Sequence, residues 1–169
     1  MKFDLYHINK VFRFENDYFR VLGNPLKYFF HQGPLLKHLL DRLRFRIYPK
    51  LGIVSKYPTH IDIEVVSQCQ LRCPMCWTTY LPDNIKGKMK YDIFQKIVDE
   101  VAGKGVYSIR LSWRGESLLH PDIIKMVKYV KEKGIPEVAF LTNAGRLDNK
   151  MAEQILETEK KVRELERKL

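Results

Sequence analysis

The sequence lacks the features of a secreted or membrane-spanning protein. It contains no run of about 18 apolar residues, which is the length that a membrane-spanning helix requires. Asp4, Glu15 and Asp17 interrupt the start of the chain, which therefore has no apolar block of the kind found in signal peptides. We expect a cytoplasmic protein.

Cysteine is scarce, and its distribution is informative. All three cysteines lie in the stretch CQLRCPMCW at residues 69–77. In a reducing cytosol, clustered cysteines are more often metal ligands or redox groups than structural disulfides, and an odd number leaves one thiol unpaired. The sequence therefore predicts a metal or redox site in this stretch.

Length and charge limit the fold further. The chain has 169 residues, of which 45% are hydrophobic, so we expect one globular domain that is too short for a complete α/β barrel. The formal net charge is +10, and residues 1–59 carry eleven Lys and Arg against four Asp and Glu. Leucines at helical spacing predict an amphipathic helix near residues 34–46. Such a basic segment is typical of a packed helix with a solvated charged face. Binding to nucleic acid or to an anionic membrane surface is the alternative, and no nucleic-acid motif supports the former.

Hydrophobic periodicity divides the chain into three zones. Residues 1–58 form the basic, aromatic extension, residues 59–147 alternate strands with helices, and residues 148–169 predict one long charged helix. The predicted strands of the middle zone are the stretches HIDIEVVS, VYSIRLSW and EVAFLTN. Because strands joined by helices favour parallel pairing, we expect an α/β fold with a parallel sheet, namely (βα)₃, or half of a barrel.

Two helices are predicted between these strands. The first places Ile93, Ile97 and Val101 on one face. The second begins at the sequence His-Pro-Asp of residues 120–122, with proline in its favoured first turn, and ends at Gly134. We expect both helices to pack on the sheet.

The cysteines follow the first predicted strand. Cys69, Cys73 and Cys76 therefore lie at the edge of the sheet where parallel α/β folds bind ligands. Three thiolates with one open position suit a catalytic metal centre, and they would hold three irons of a four-iron cluster while the fourth iron stays free for a small molecule. The alternative is a zinc site of three cysteines and one histidine, either His60 or His120.

These motifs resemble those of the radical S-adenosylmethionine (radical SAM) superfamily. Its CxxxCxxC signature is present as Cys69, Cys73 and Cys76. Its Gly-Gly-Glu-Pro stretch after the second strand is similar to WRGESLLHP, in which Gly115 and Glu116 match. Arginine replaces the first glycine of that stretch, and serine replaces its proline. The Thr-Asn-Gly ending of the third strand is similar to the sequence TNAG at residues 142–145, in which an alanine is inserted before the glycine.

The resemblance implies a cofactor set and roles for individual residues. The three cysteines are expected to hold a [4Fe-4S] cluster whose unique iron binds S-adenosylmethionine, and reductive cleavage then gives a 5′-deoxyadenosyl radical. Met75 is expected beside the adenine, and Gly115 and Glu116 at the methionine amino group. Asn143 is a further candidate for cofactor contact. Each has a structural alternative: core packing for Met75, together with its neighbour Trp77, a helix cap or ion pair for Glu116, and a turn at the end of a strand for Asn143.

Three classes of function remain open at this point. The first is a radical SAM enzyme that is completed by a partner chain and receives electrons from a one-electron donor such as a flavodoxin or ferredoxin. The second is a cluster-binding remnant or electron-transfer protein without turnover, and the third is a zinc-stabilised binding module. The family resemblance favours a peptide, protein or cofactor precursor as substrate, which the sequence does not identify.

Overall fold

A sheet of three parallel strands organises the part of the chain that the computed structural model describes, residues 35–166. The strand order is β1-β2-β3, and each strand pairs in parallel with the next. The strands are β1 (His60–Asp62), β2 (Ser108–Arg110) and β3 (Glu137–Ala139). All three are shorter than predicted, although single backbone hydrogen bonds extend the pairing, as from Leu111 N to Ala139 O at 2.7 Å.

One helix precedes the first strand, and the others separate the strands or follow the last one. They are α1 (Leu35–Leu51), α2 (Trp77–Tyr80), α3 (Tyr91–Val101), α4 (Ile123–Glu132) and α5 (Asn149–Glu166). Two short 3₁₀ helices span Asp83–Ile85 and Ser117–Leu119. The order β1-α3-β2-α4-β3-α5 confirms the predicted α/β fold and the (βα)₃ half-barrel.

The hydrophobic core lies between one face of the sheet and helices α3 and α4. Ile109 and Leu111, in and just after the central strand, are fully buried, as are Phe94 and Val98 on α3. Helix α4 contributes its own fully buried residues, which are Ile123, Met126 and Val130. Because every one of these side chains is removed from water, this layer supplies the main hydrophobic stabilisation of the described fold.

The buried face of α3 differs from the predicted one. Ile93 is 45% exposed, whereas Phe94 and Val98 are fully buried. Ile97 and Val101 are half-buried at the margin of the core. The helix is rotated so that the large aromatic side chain of Phe94 reaches the centre of the core, which a count of aliphatic residues alone did not anticipate.

Helix α4 begins and ends close to the predicted positions. Asp122 is its N-cap and Lys133 its C-cap, and Gly134 follows with a φ of +77°. A left-handed backbone at this position is the usual way in which a helix ends at glycine. The turn leads directly to β3.

Helix α1 differs from its prediction in length and in packing. It passes through Pro49 to Leu51, five residues beyond the predicted end, and Gly52 follows with a φ of +64°. Its leucine stripe is exposed, with values of 44% to 69% at Leu36, Leu39, Leu40 and Leu43. The prediction of a helix packed through these leucines is therefore wrong for the described residues. The rest of the basic extension, residues 1–34, lies outside them.

Helix α5 packs on the fold through its first two turns. Met151 and Ile155 contact the core cluster, and the helix lies against α4. The helix predicted at residues 148–169 is confirmed from Asn149 to Glu166, and its last three residues lie outside the described part. Within the described residues, no helix combines the length and the apolar character needed to cross a membrane.

The second face of the sheet carries polar cross-strand pairs. Arg110 donates to both carboxylate oxygens of its paired residue Asp62 at 2.7 and 2.6 Å. Two residues earlier on the same strands, His60 hydrogen-bonds to its paired residue Ser108. Side chains alternate along a strand, so these pairs lie on the face opposite Ile109. The sheet therefore has one apolar face towards the helices and one polar face.

Candidate functional site

The chain between β1 and the first cysteine packs against the end of β2 at Gly115. The backbone N–H of Glu116 donates to the carbonyl of Gln68 at 2.9 Å. A Cβ atom at Gly115 would lie 2.2 Å from Val66 O and 2.7 Å from Gln68 O, so no side chain fits there. Gly115 is thus required by the close approach of two backbone segments, independently of any ligand.

The cysteine loop, residues 69–77, is ordered by hydrogen bonds to its own carbonyl groups. Cys76 N donates to Cys73 O at 3.0 Å, and the hydroxyl groups of Thr79 and Tyr80 donate to the carbonyls of Cys73 and Pro74 at 3.1 and 2.7 Å. A further anchor is the buried Thr78, whose hydroxyl donates to Arg114 O at 2.8 Å. These bonds hold the second and third cysteines beside the end of β2.

All three cysteines are free thiols at or near the surface. Cys69 and Cys76 are half-buried and Cys73 is exposed. Interaction with Thr78, first with its side chain and then with its amide, lowers the pKa of the Cys76 thiol and so favours the thiolate, which is the form that binds metal. The single hydroxyl proton of Thr78 serves either Cys76 or Arg114 O. The donor set, three accessible thiols on one ordered loop, suits an iron–sulfur cluster.

A mononuclear zinc site finds no support in the described residues. No three side chains of His, Cys, Asp or Glu there are grouped closely enough to hold one metal ion. His120 is buried, with Nε2 at 2.8 Å from Met89 O and Nδ1 accepting from Asp122 N at 3.0 Å, and both ring nitrogens of His60 face Ser108 and Asp62. A four-iron cluster requires no such convergence, because each cysteine binds a different iron.

Glu116 joins the ends of β2 and β3. Its side chain is 3% exposed. One carboxylate oxygen accepts from Leu118 N at 3.0 Å and from the Thr142 hydroxyl at 2.6 Å, and the other accepts from Asn143 N at 2.7 Å. The structure thus shows the capping role that was the structural alternative for this residue. Direct contact between Glu116 and a cofactor stays a prediction.

Asn143 lies in a turn at the end of β3, and its side chain also reaches the first cysteine. Its Oδ1 accepts from Gly145 N at 2.9 Å, which is the turn that its structural alternative anticipated. Its Nδ2 donates to Cys69 Sγ at 3.5 Å. Ala144, between Asn143 and Gly145, has a φ of +60°, a left-handed conformation that favours glycine. Glycine adopts this backbone conformation more readily than alanine.

Gln70 is a site residue that the sequence analysis missed. Its Nε2 donates to Asn143 Oδ1 at 2.8 Å and so links the cysteine loop to the end of β3. A Cβ atom at Gly145 would lie 2.6 Å from this Nε2, so the glycine makes room for the Gln70 amide. No local pattern marks an exposed glutamine as a partner of a residue so distant in sequence.

Met75 is outside the core. It is 94% exposed and Trp77 is 68% exposed, which contradicts the alternative that these side chains are core residues. Exposure of a large apolar side chain at the loop of the cysteines is compatible with a role in binding a ligand. A contact between Met75 and adenine stays a prediction.

One ion pair connects the polar face of the sheet to this edge. Arg114 donates to the two carboxylate oxygens of Glu64 at 2.8 and 2.5 Å. This side-chain hydrogen bond is the main reason why the pKa of Glu64 lies below its ordinary value of 4.5. The arginine that replaces the first glycine of the family stretch is thus held in place by the neighbouring strand.

The sequence of the chain matches the family model of the Radical SAM superfamily over residues 63–165. This match covers most of the chain, begins directly after β1 and includes the cysteine loop, β2 and β3. The chain belongs to the radical SAM superfamily.

Several characterised proteins are similar to the same part of the chain. The chain is 32% identical over 99 residues to the tungsten-containing aldehyde ferredoxin oxidoreductase cofactor-modifying protein of Pyrococcus furiosus, which covers 58% of this chain and 27% of that protein. It is 35% identical over 95 residues to the GTP 3′,8-cyclase of Chlorobaculum tepidum, and this match covers 54% of this chain and 28% of that protein. The chain thus spans about a quarter of the length of these relatives.

A solved structure has the same fold. The structure of BtrN in complex with AdoMet and 2-DOIA superposes with a TM-score of 0.56 at 21% identity, over 62% of this chain and 44% of that one. The open conformation of BtrN gives 0.54. At this identity the likeness establishes the fold, which is part of a radical SAM barrel.

Proposed function

We propose that this chain binds a [4Fe-4S] cluster through Cys69, Cys73 and Cys76 and binds S-adenosylmethionine at the same edge of the sheet. The observation that carries the proposal is the joining of the cysteine loop to the ends of both other strands. Gly115 allows one contact, and Asn143 makes another at Cys69. Two later parts of the chain thus contact the segment that carries the thiols, as expected at the carboxyl ends of parallel strands.

Three residues near the thiols, Gly115, Met75 and Glu116, have proposed roles in binding S-adenosylmethionine. When bound, the cluster and S-adenosylmethionine supply a one-electron reductive cleavage whose product radical abstracts hydrogen from a substrate. Gly115 lets the segment after β2 lie against the backbone that leads into the cysteine loop, and Met75 offers an exposed apolar surface beside the thiols. Glu116 contributes by fixing the backbone of Asn143. Its buried carboxylate acts through that backbone.

The substrate is proposed at the level of a class. The names of the relatives refer to a cofactor-modifying protein, a GTP cyclase and, in Methylorubrum populi, a PqqA peptide cyclase that is 30% identical over 87 residues. We infer that the complete protein modifies a peptide or a cofactor precursor. It would receive electrons from a one-electron donor such as a flavodoxin or ferredoxin, and a partner chain would complete the barrel.

Anaerobic reconstitution with iron and sulfide tests the proposal. We expect about four irons per chain with thiolate-to-iron absorbance, and loss of most iron in Cys69→Ala, Cys73→Ala and Cys76→Ala, because each thiolate holds a different iron. His60→Gln and His120→Gln serve as controls, since the zinc alternative requires one of these two histidines and the cluster requires neither. Stoichiometric zinc without iron uptake would overturn the proposal.

A further inference from the structure

The hydrogen bond between Asn143 and Cys69 has no counterpart in the motifs that the sequence displays. The Nδ2 of Asn143 lies 3.5 Å from Cys69 Sγ, a normal distance for a donor to sulfur. Cys69 follows β1 and Asn143 follows β3, which are the two outer strands of the sheet, and 74 positions separate the two residues in the chain. A contact of this kind forms only when the fold brings the end of β3 to the cysteine loop.

The orientation of the Asn143 amide is fixed by independent donors. Its Oδ1 accepts from the backbone N–H of Gly145 at 2.9 Å and from Gln70 Nε2 at 2.8 Å. Gly145 N is a backbone donor, so the oxygen must face it and the amide nitrogen must face the sulfur, and the Gln70 amide is oriented to match. The donor to Cys69 is therefore determined by the surrounding bonds.

The backbone of Asn143 is held as well. Its N–H donates at 2.7 Å to Glu116, whose carboxylate is buried and bound to two further donors. Gly145 has no side chain that would displace the Gln70 amide. Three elements thus position one amide group: the end of β2, the turn after β3 and the cysteine loop.

An N–H donor at a cysteine sulfur has a defined effect on an iron–sulfur cluster. The bond strengthens as the cluster gains negative charge, so it stabilises the reduced form and raises the reduction potential. Building on the cluster binding proposed above, we propose that Asn143 is a positioning residue for Cys69 that raises the reduction potential of the cluster, and that Gln70 holds it in place.

The test compares reduction potentials of the reconstituted 169-residue chain and its variants. Asn143→Asp keeps an acceptor for Gly145 N and Gln70 but removes the donor to sulfur. We expect the reduction equilibrium to shift three- to tenfold towards the oxidised cluster, where tenfold is about 59 mV for one electron. Asn149→Asp, which adds the same charge at an exposed position at the start of α5, is the matched control and should shift it much less.

A second variant separates the amide contact from charge. Gly145→Ala introduces a Cβ atom 2.6 Å from Gln70 Nε2, the flexible end of an exposed side chain, so it should displace Gln70 while the fold is kept. We expect a shift of the same sign and smaller size. Melting curves of the cluster-free proteins show whether each variant folds, and Gly145→Ala decides the test if Asn143→Asp does not.

The outcomes distinguish this inference from the proposed function. Equal iron content with a potential below that of the unaltered chain in both Asn143→Asp and Gly145→Ala supports the inference, because the second variant adds no charge. If Asn143→Asp loses its iron, a lowered potential in Gly145→Ala supports the inference and an unchanged one overturns it. If every variant binds iron and its reduction potential equals that of the control, the role of Asn143 is overturned and the proposed cluster binding stands. An unaltered chain that takes up no iron overturns both.

Discussion

The carboxylate of Glu116 accepts the backbone N–H of Asn143 at 2.7 Å and so joins the end of β2 to the end of β3. The same carboxylate accepts from Leu118 N and from the Thr142 hydroxyl. This buried bond network sets the position of the turn that faces the cysteine loop. The candidate site is therefore built on the ends of the strands and extends beyond the cysteine loop.

Replacement of Glu116 tests the structural part of this account without any cofactor. In Glu116→Ala three donors lose their acceptor in a buried environment, and we expect a loss of about 3 kcal/mol in the free energy of unfolding. Urea denaturation of the cluster-free chain measures it. Glu153→Ala, at an exposed position on α5, should change stability by less than about 0.5 kcal/mol. Equal effects of the two substitutions would contradict the network.

Gly115 should tolerate no side chain. Gly115→Ala places a Cβ atom 2.2 Å from Val66 O, a backbone atom that cannot rotate away, so we expect a loss of at least about 3 kcal/mol or failure to fold. Gly87→Ala is the control, because a Cβ atom there meets nothing within 4 Å. Circular dichroism melting curves compare them. A Gly115→Ala chain as stable as Gly87→Ala would show that the loop does not approach β2 so closely.

Ala144 offers a stabilising substitution. Its φ of +60° places it in the left-handed region, which costs a residue with a Cβ atom about 1 to 2 kcal/mol. Ala144→Gly removes this cost but adds flexibility to the unfolded chain, so we expect a net change between zero and about 1 kcal/mol in favour of the folded state. Denaturant titration checks the sign. A clear destabilisation would argue against the left-handed turn.

The Glu64–Arg114 pair should make stability depend on pH. The pKa of Glu64 in the folded chain is below its ordinary value of 4.5, mainly because Arg114 hydrogen-bonds to it, so the unfolded chain takes up the proton at higher pH. The contribution of the pair is complete above that value and is lost as the pH falls through the folded pKa. Glu64→Gln should lower the melting temperature at about pH 7, and this difference should shrink towards about pH 3. A difference that is constant with pH would exclude the pair as its cause.

The sequence predicted the order of the elements and the place of the cysteines, because both follow from local patterns. Alternation and helical spacing identified β1 and α4, and the cysteine spacing identified the loop. Properties that depend on packing between distant segments were missed. Phe94, and not the predicted Ile93, lies at the centre of the core, and the leucines of α1 are exposed. The Gln70–Asn143 hydrogen bond joins residues 73 positions apart in the chain.

The measurement that tests the central claim most directly is the electron paramagnetic resonance spectrum of the reconstituted, reduced chain with and without S-adenosylmethionine. In the proposed cluster one iron has no cysteine ligand, so S-adenosylmethionine should bind that iron and change the g values of the reduced cluster. S-adenosylhomocysteine serves as a comparison ligand that lacks the sulfonium charge. We predict a spectrum that changes on addition of S-adenosylmethionine and is lost in Cys73→Ala. A cluster spectrum that S-adenosylmethionine leaves unchanged would contradict the assignment of a cofactor site to this edge of the sheet.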